Sequence, residues 1–306
     1  MKNTIIVIGL IVILAGGVYF YLSGNDINTT DINQNNNTNE AVTVPIETNI
    51  NTNSMNNTNT STKDLNEPGL VAHWKFDEES GNNAMDSVSN KSEVVIGGAT
   101  WESGKIGNAL YFDGVDDYVD LSQSINDLSN LDQGTIAFWF KYNSILDSQP
   151  IMPILHFGID DETDQSNMFI IEIGHGGTES NGLTLDSSNK KLYVTWIKDN
   201  QEPFLCFDTN ENLAENTWHH FAVTVGPDGN TGYLNGVELD SRDYNFGTSS
   251  DQSFFSSIPV QKQLTLGLGR THHEISPEFI NFKGYLDDVR IYNQPLSVLE
   301  IKELVN

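Results

Sequence analysis

The sequence predicts an all-β fold: a two-sheet antiparallel sandwich over residues 68–306 with a short C-terminal helix, preceded by one transmembrane helix and a disordered linker. Three observations carry this prediction. Short runs of alternating apolar and polar residues fill the chain from Pro68 onward, a tract of Asn and Thr precedes them, and an uncharged apolar run opens the sequence.

That opening run, Thr4 to Leu22, reads TIIVIGLIVILAGGVYFYL. As a helix it would extend roughly 28 Å, close to the ~30 Å hydrocarbon core of a bilayer. Lys2 precedes it, while Tyr19 and Tyr21 stand at interfacial depth, an arrangement that orients the N-terminus inside and the rest outside. Residues 1–22 therefore read as a membrane anchor. A cleaved signal segment is the competing reading, because Ala15-Gly16-Gly17 offers small residues, but its apolar region would be unusually long. In both readings the domain lies outside the cytoplasm, membrane-anchored if the segment stays and secreted if it is cleaved.

Residues 23–67 are rich in Asn and Thr and nearly free of aromatics, so they cannot bury enough surface to offset their chain entropy. They read as a disordered tether with a span of roughly 35 Å. Asn28, Asn36, Asn56 and Asn59 head Asn-x-Ser/Thr triplets, which low-complexity sequence also produces by chance.

The formal net charge is -27, from 42 acidic and 15 basic side chains. Residues 1–66 hold only Lys2 and Lys63 against Asp26, Asp31, Glu40, Glu47 and Asp64, so nearly all the acidity belongs to the domain. Such a surface repels phosphate backbones and anionic lipid heads, and no nucleic-acid partner is expected. Cys206 is the single cysteine, which excludes an intrachain disulfide.

Within the domain, LVAHWKF, ALYF, TIAFWFK, MFIIEI, KLYVTWI, HHFAVTV and LTLGLG read as strands separated by Gly, Asn and Asp. Leu70, Ala72, Trp74 and Phe76 alternate onto one face, as do Leu110 with Phe112 and Val119 with Leu121. Asn235-Gly236 marks a two-residue hairpin, since both turn positions need positive φ. Only the C-terminus reads as helix. There Ser297-x-x-Glu300 forms a capping box, with Leu296 and Ile301 placed as a hydrophobic staple.

The blocks LVAHWKFDEESGNNAMDSVSN, GGATWESGKIGNALYFDGVDDYVDL, GTIAFWFK, NTWHHFAVTV, GYLNGVEL and FKGYLDDVRIYNQPLSVLEI resemble, in this order, LamG-like jelly-roll domains. These belong to the concanavalin A-like lectin/glucanase superfamily. The resemblance covers about Leu70 to Val305 and is most specific in the first and last blocks. It implies a jelly roll of two curved antiparallel sheets, often with bound calcium, serving as a glycan- or protein-binding module at a surface. His220 matches the family's recurrent histidine, which is expected to be a hydrogen-bonded structural residue.

Alternation in YLDDVRIY puts Asp287 with Val289 and Ile291, and Asp288 with Leu286, Arg290 and Tyr292, so one of the two acids falls on an apolar face. A buried carboxylate is costly unless hydrogen-bonded or bound to a cation. In FDGVDDYVDL the aspartates are mainly turn formers between Phe112 and Val119, with Gly114 free to take positive φ. The sharper expectation is a structural calcium shared by Asp113 and Asp287. A second, rim calcium is expected at Asp161, Asp164 and Asn167, in the loop that the resemblance aligns with a ligand-bearing loop, although Arg270 departs from that pattern.

No Glu-x-Asp-x-(x)-Glu strand motif of the glucanases is present; Glu162-Thr163-Asp164 and Glu172-Ile173-Gly174 lack the third acid. No Gly-x-Ser-x-Gly elbow, phosphate loop or zinc spacing occurs either, and the adjacent pairs His219-His220 and His272-His273 face opposite ways on a strand. No catalytic residue is assigned. Of the five tryptophans, Trp74, Trp101, Trp139 and Trp218 fall in core motifs, whereas Trp196 is the one expected on an open sheet face as a ligand platform. The expected function is a surface-displayed, non-catalytic module binding a glycan or a surface protein. The alternatives are a glycan-active enzyme or its accessory domain, and a structural envelope protein binding another protein.

Overall fold

The computed structural model describes residues 9–14, 17–22, 67–144, 151–158, 167–175, 190–198, 203–239, 242–259, 261–269 and 279–306. The chain divides into two units, Met1–Asn57 and Thr58–Asn306. In the first, β1 (Gly9–Leu14) pairs antiparallel with β2 (Gly17–Leu22), with Ile11 opposite Phe20 and Leu14 opposite Gly17. The transmembrane helix expected over residues 4–22 is not among the described elements. Ile11, Val12, Ile13, Val18, Tyr19 and Phe20 are β-branched or aromatic and Gly16-Gly17 interrupts the run, so local preference favours paired strands. Among the described residues no helix is long and apolar enough to cross a membrane. The tether and its Asn-x-Ser/Thr triplets lie outside the described residues.

The second unit contains, in order, β3 (Leu70–Trp74), β4 (Asn83–Met85), β5 (Ser92–Ile96), β6 (Thr100–Ser103), β7 (Asn108–Asp113), β8 (Tyr118–Asp120), α1 (Ile125–Leu128), β9 (Gly134–Tyr142), β10 (Ile151–Gly158) and β11 (Met168–His175). It continues with β12 (Lys190–Ile197), β13 (Pro203–Asp208), β14 (His219–Gly226), β15 (Gly229–Leu234), β16 (Val237–Glu238), β17 (Asp243–Phe246), β18 (Gln263–Leu266), β19 (Leu268–Gly269), β20 (Ile280–Asn281), β21 (Lys283–Tyr292) and α2 (Val298–Val305). One sheet has nine strands in the order β17-β13-β12-β11-β10-β18-β8-β5-β4. The other has eight, in the order β16-β15-β14-β9-β21-β7-β6, with β3 also paired to β21. Every pairing in both is antiparallel, as the alternation predicts.

The sheets share one interior. Ile136, Phe138 and Phe140 of β9, Phe169, Ile171 and Ile173 of β11, and Leu192, Val194 and Trp196 of β12 meet there with Trp74, Phe76, Leu110, Phe112, Val119 and Leu121. The alternation in ALYF and YVDL thus predicts the buried faces correctly, as it does for Ala72, Trp74 and Phe76, whereas Leu70, beyond a register shift against β21, packs on the outer cluster and Val71 against the core. Burial of these large apolar side chains is the main source of stability, at about 1.5–3 kcal/mol each. On the outer side of the eight-stranded sheet a smaller cluster forms, in which Ala137 and Ala222 leave room for Leu296, Ile301 and Leu304 of the α2 region. The helix begins as its sequence dictates: Ser297 N donates to Glu300 Oε2 at 2.7 Å and Glu300 N to Ser297 Oγ at 3.4 Å. Asn235 and Gly236 both take positive φ, 52° and 76°, and close the β15–β16 hairpin.

The turn from Phe112 to Val119 is more than a hairpin. Its flanking strands β7 and β8 lie in different sheets, so Asp113–Asp117 carries the chain from one layer to the other, with Gly114 at φ 84°.

Candidate functional site

On β11, side chains alternate across the sheet: Phe169, Ile171 and Ile173 enter the core, while Ile170 and Glu172 point to the outer side. Register sets their neighbours. Glu172 lies between Pro153 of β10 and Tyr193 of β12, and Tyr193 stands opposite Asp208 of β13. In the parallel row Ile170 lies between His156 and Thr195, Thr195 opposite Cys206 and His156 opposite Thr265. Thr195 Oγ1 donates to Cys206 Sγ at 3.2 Å, and Lys191 Nζ lies 3.1 Å from Asp208 Oδ1.

Gly269 packs against Pro153 and His156, and Phe279 meets the His156 ring edge-on at 6.3 Å, so the β19–β20 hairpin closes this outer face on the β10 side. Tyr193 and Lys191, on the β12 side, are only half-buried. Glu172 forms the floor between. It is 1% exposed and its Oε2 meets no hydrogen-bond partner. Burial alone pushes its carboxyl up to about 8, so at neutral pH it is mostly a neutral acid able to donate as well as accept.

Trp196 is not on this face. It is fully buried in the core, its ring 4.5 Å from that of Phe169, which corrects the expected open platform. Alternation alone gives the residues that share a side, Val194 and Trp196, but not which side is inner. Of the tryptophans assigned to the core, Trp101 is half-buried but packs against the core beside Phe76, whereas Trp218 is half-buried on the outer side. Trp218 ends a row on the outer side of the eight-stranded sheet. Tyr111 lies opposite Tyr285, and Tyr285 opposite Lys141. The Tyr111 and Tyr285 rings are 4.8 Å apart and those of Tyr285 and Trp218 6.0 Å. Lys141 Nζ lies 3.9 Å from the Tyr285 ring and 5.0 Å from that of Trp218, and the Tyr285 hydroxyl donates to Glu102 Oε2 at 3.0 Å.

The two aspartates expected to share calcium are apart. Asp113 pairs with Lys283, and Asp287 lies four residues further along β21, roughly 13 Å away. Asp287 is buried because it clamps a turn: its Oδ2 accepts from Lys105 N at 2.8 Å and Ile106 N at 2.9 Å, while Oδ1 meets no partner. Burial pushes its carboxyl up to about 7 against these two hydrogen bonds. A bulge at Asp287–Arg290, with Asp288 at φ 53°, breaks the strict alternation read from the sequence, so both aspartates are buried on the outer side while Leu286, Val289 and Ile291 all enter the core. Asp288 Oδ1 meets His73 Nε2 at 2.6 Å and Arg290 at 3.1 Å, and against desolvation these partners hold its carboxyl below the usual range. His220 packs edge-on against Trp139 at 5.2 Å, and burial lowers its imidazole to about 4. Its Nδ1 has no partner, and the ring is held by packing against Trp139 rather than by the hydrogen bond expected of it there.

Asp113 instead gathers with Asp116 and Asp117, one ligand atom from each lying within 4.8 Å of the others. Asp113 Oδ1 accepts from Val115 N and Asp117 Oδ2 from Asp113 N, which is turn-forming chemistry. Three hard carboxylate donors nevertheless suit calcium better than a softer metal. Of the expected rim set, Asp161 and Asp164 lie outside the described residues, and Asn167 is buried where β11 begins.

The family profile described as the concanavalin A-like lectin/glucanases superfamily matches residues 112–302. The chain belongs to this superfamily. No curated protein sequence matches it significantly. Solved structures share the fold. Domain 4 of AbnA, a GH43 extracellular arabinanase from Geobacillus stearothermophilus in complex with arabinotriose, aligns with TM-score 0.50 at 20% identity, over 78% of this chain and 98% of that one. The binding domain of botulinum neurotoxin DC in complex with rat synaptotagmin II aligns with TM-score 0.52 at 17% identity, over 78% of this chain and 51% of that one. Trypanosoma rangeli sialidase, in complex with 2,3-difluorosialic acid, aligns with TM-score 0.50 at 14% identity, over 78% of this chain and 33% of that one.

In this lectin/glucanase-type sandwich, Glu172 stands out in the sequence only as a fragment of a missing catalytic motif, and Tyr111, Tyr285 and Lys141 do not stand out at all. A signal existed for Glu172: a lone acid inside the apolar strand MFIIEI. The aromatic row had none, because its members lie far apart in sequence and meet only through register.

Proposed function

We propose that the chain is a surface-displayed, non-catalytic module that binds carbohydrate through the outer face of the nine-stranded sheet. The observation that carries this reading is Glu172, a buried carboxyl with an unpartnered oxygen beside the half-buried Tyr193; a sugar reaching it there would occupy a recess at that point. A buried polar group left without a partner points to a group supplied from outside, and a sugar hydroxyl can both donate to and accept from it. The complex of the structurally similar arabinanase domain with arabinotriose supports the ligand class. The uncharged run 4–22 would engage the membrane or direct export, with the acidic domain outside the cytoplasm, and a surface protein is the other partner class.

Calcium belongs to the proposal at Asp113, Asp116 and Asp117, where it would neutralise three neighbouring carboxylates at the turn between the sheets. A glycan array tests the main reading: Glu172→Gln and Tyr193→Ala are each expected to erase the signals of the wild-type chain. Unchanged signals in both would refute it.

One observation favours a glycan-active enzyme as the second reading. A carboxyl pushed up to about 8 by burial is what a general acid needs. The partner such chemistry requires is less evident: Asp208, in the same transverse row, is two strands away, roughly 10 Å, and is held by Lys191. Release of reducing ends from a polysaccharide, lost in Glu172→Gln, would favour the enzyme over the binding module.

A further inference from the structure

The outer side of the eight-stranded sheet is covered in two places. The α2 region lies over Ala137 and Ala222, and the turn at Lys105–Ile106 caps Asp287, with the Lys105 ammonium 4.6 Å from the Trp139 ring. Between these covers and the β6 edge, the row from Trp218 through Lys141 and Tyr285 to Tyr111 stays half-open. Four large side chains from four separate segments converge there, although exposed aromatic surface is costly to leave facing water.

We propose that this row is a second carbohydrate-binding surface, on the sheet opposite the Glu172 recess, and that it takes a neutral polysaccharide chain. Trp218 and Tyr111 flank the Lys141–Tyr285 pair, so two aromatic rings are available on either side of a central ammonium. Sugar rings stack their C–H faces on aromatic rings, and the hydroxyls between would accept from Lys141 and donate to Glu102. Charge selects the ligand class. Glu102, Asp113, Asp116 and Asp117 border the row and outnumber Lys141 and Lys283, in a chain of net charge -27, so a uronate- or sulfate-bearing chain is repelled. A neutral chain also suits the extended form of the row, which crosses strands β6, β7, β21 and β9 transversely.

Affinity electrophoresis of the full chain tests this, using native gels containing hydroxyethylcellulose, xylan or arabinan, with polygalacturonate and a polyproline peptide as contrasting probes. The wild-type chain is expected to be retarded by at least one neutral polysaccharide. Trp218→Ala and Tyr111→Ala, shown by melting to remain folded, are expected to weaken that retardation by about tenfold or more. Retention in Glu172→Gln, with loss in Trp218→Ala, supports a surface separate from the recess. Loss in Glu172→Gln with wild-type retardation of both aromatic variants overturns the second surface and leaves the recess reading standing. Retardation by polygalacturonate alone, binding of the polyproline peptide without retardation by any polysaccharide, or no retardation at all also overturns it.

Discussion

Replacing Glu172 by Gln tests whether the folded protein carries a buried proton on the outer sheet face. Burial moves this carboxyl from 4.5 to about 8. Between those values the folded state holds a proton that the unfolded chain releases, so stability falls as pH rises across the window and levels off above it. At about 1.4 kcal/mol per unit, the full shift loads the folded state with on the order of 5 kcal/mol at pH 9, set against a typical domain stability of about 5–15 kcal/mol. Glutamine has the same shape and never ionises, but its amide costs about 1–3 kcal/mol at every pH if left short of partners. The variant should therefore be less stable than wild type at pH 5 and more stable by about 2–4 kcal/mol at pH 9. Urea unfolding followed by tryptophan fluorescence measures both. Asp287, also raised, titrates in both proteins and cancels in the comparison. A difference between the two proteins that stays constant from pH 5 to pH 9 would refute the buried-acid argument.

Asp288→Ala leaves buried His73 without its carboxylate and Arg290 with only the more distant Glu67 at 3.7 Å, and places a β-carbon without a polar group at φ 53°, so a loss of about 3–5 kcal/mol is expected in urea unfolding. Asp288→Asn, which tolerates that backbone, should lose less. Asp287→Ala removes the acceptor for Lys105 N and Ile106 N and should cost about 2–3 kcal/mol, with faster amide exchange at those two positions. If calcium occupies Asp113, Asp116 and Asp117, ion at about 100 times its dissociation constant adds about 2.7 kcal/mol. A chelator should then lower the melting temperature of wild type and leave that of Asp117→Asn unchanged.

The sandwich was legible because its signals are local. The alternation of Trp74 with Phe76, the Asn235-Gly236 turn and the Ser297–Glu300 capping box each act within a few residues, and each is met in the structure. The candidate site was not, because it depends on long-range choices that local pattern leaves open. Which side of β12 is inner decides that Trp196 is core, and it is set by the packing of β12 between β11 and β13. The bulge at Asp287–Arg290 shifts alternation by one residue and undoes the one-sided reading of the two aspartates. Asp113 was matched with the wrong partner because register, not residue type, decides which carboxylates meet. In the opening run, hydrophobic length fits a helix while β-branched composition fits strands, so the sequence alone does not choose between them.

The first strand of the domain has a partner that is made last. β3 pairs along its length with β21, and His73 meets Asp288 at a separation of 215 residues. A chain delivered from its N-terminus must hold β3 without its ladder until nearly the whole polypeptide has emerged. During synthesis this makes the final segment the latch: loss of a few C-terminal strand residues would leave an open edge at the beginning of the domain, far away in sequence, exposed to proteases and to pairing with other copies.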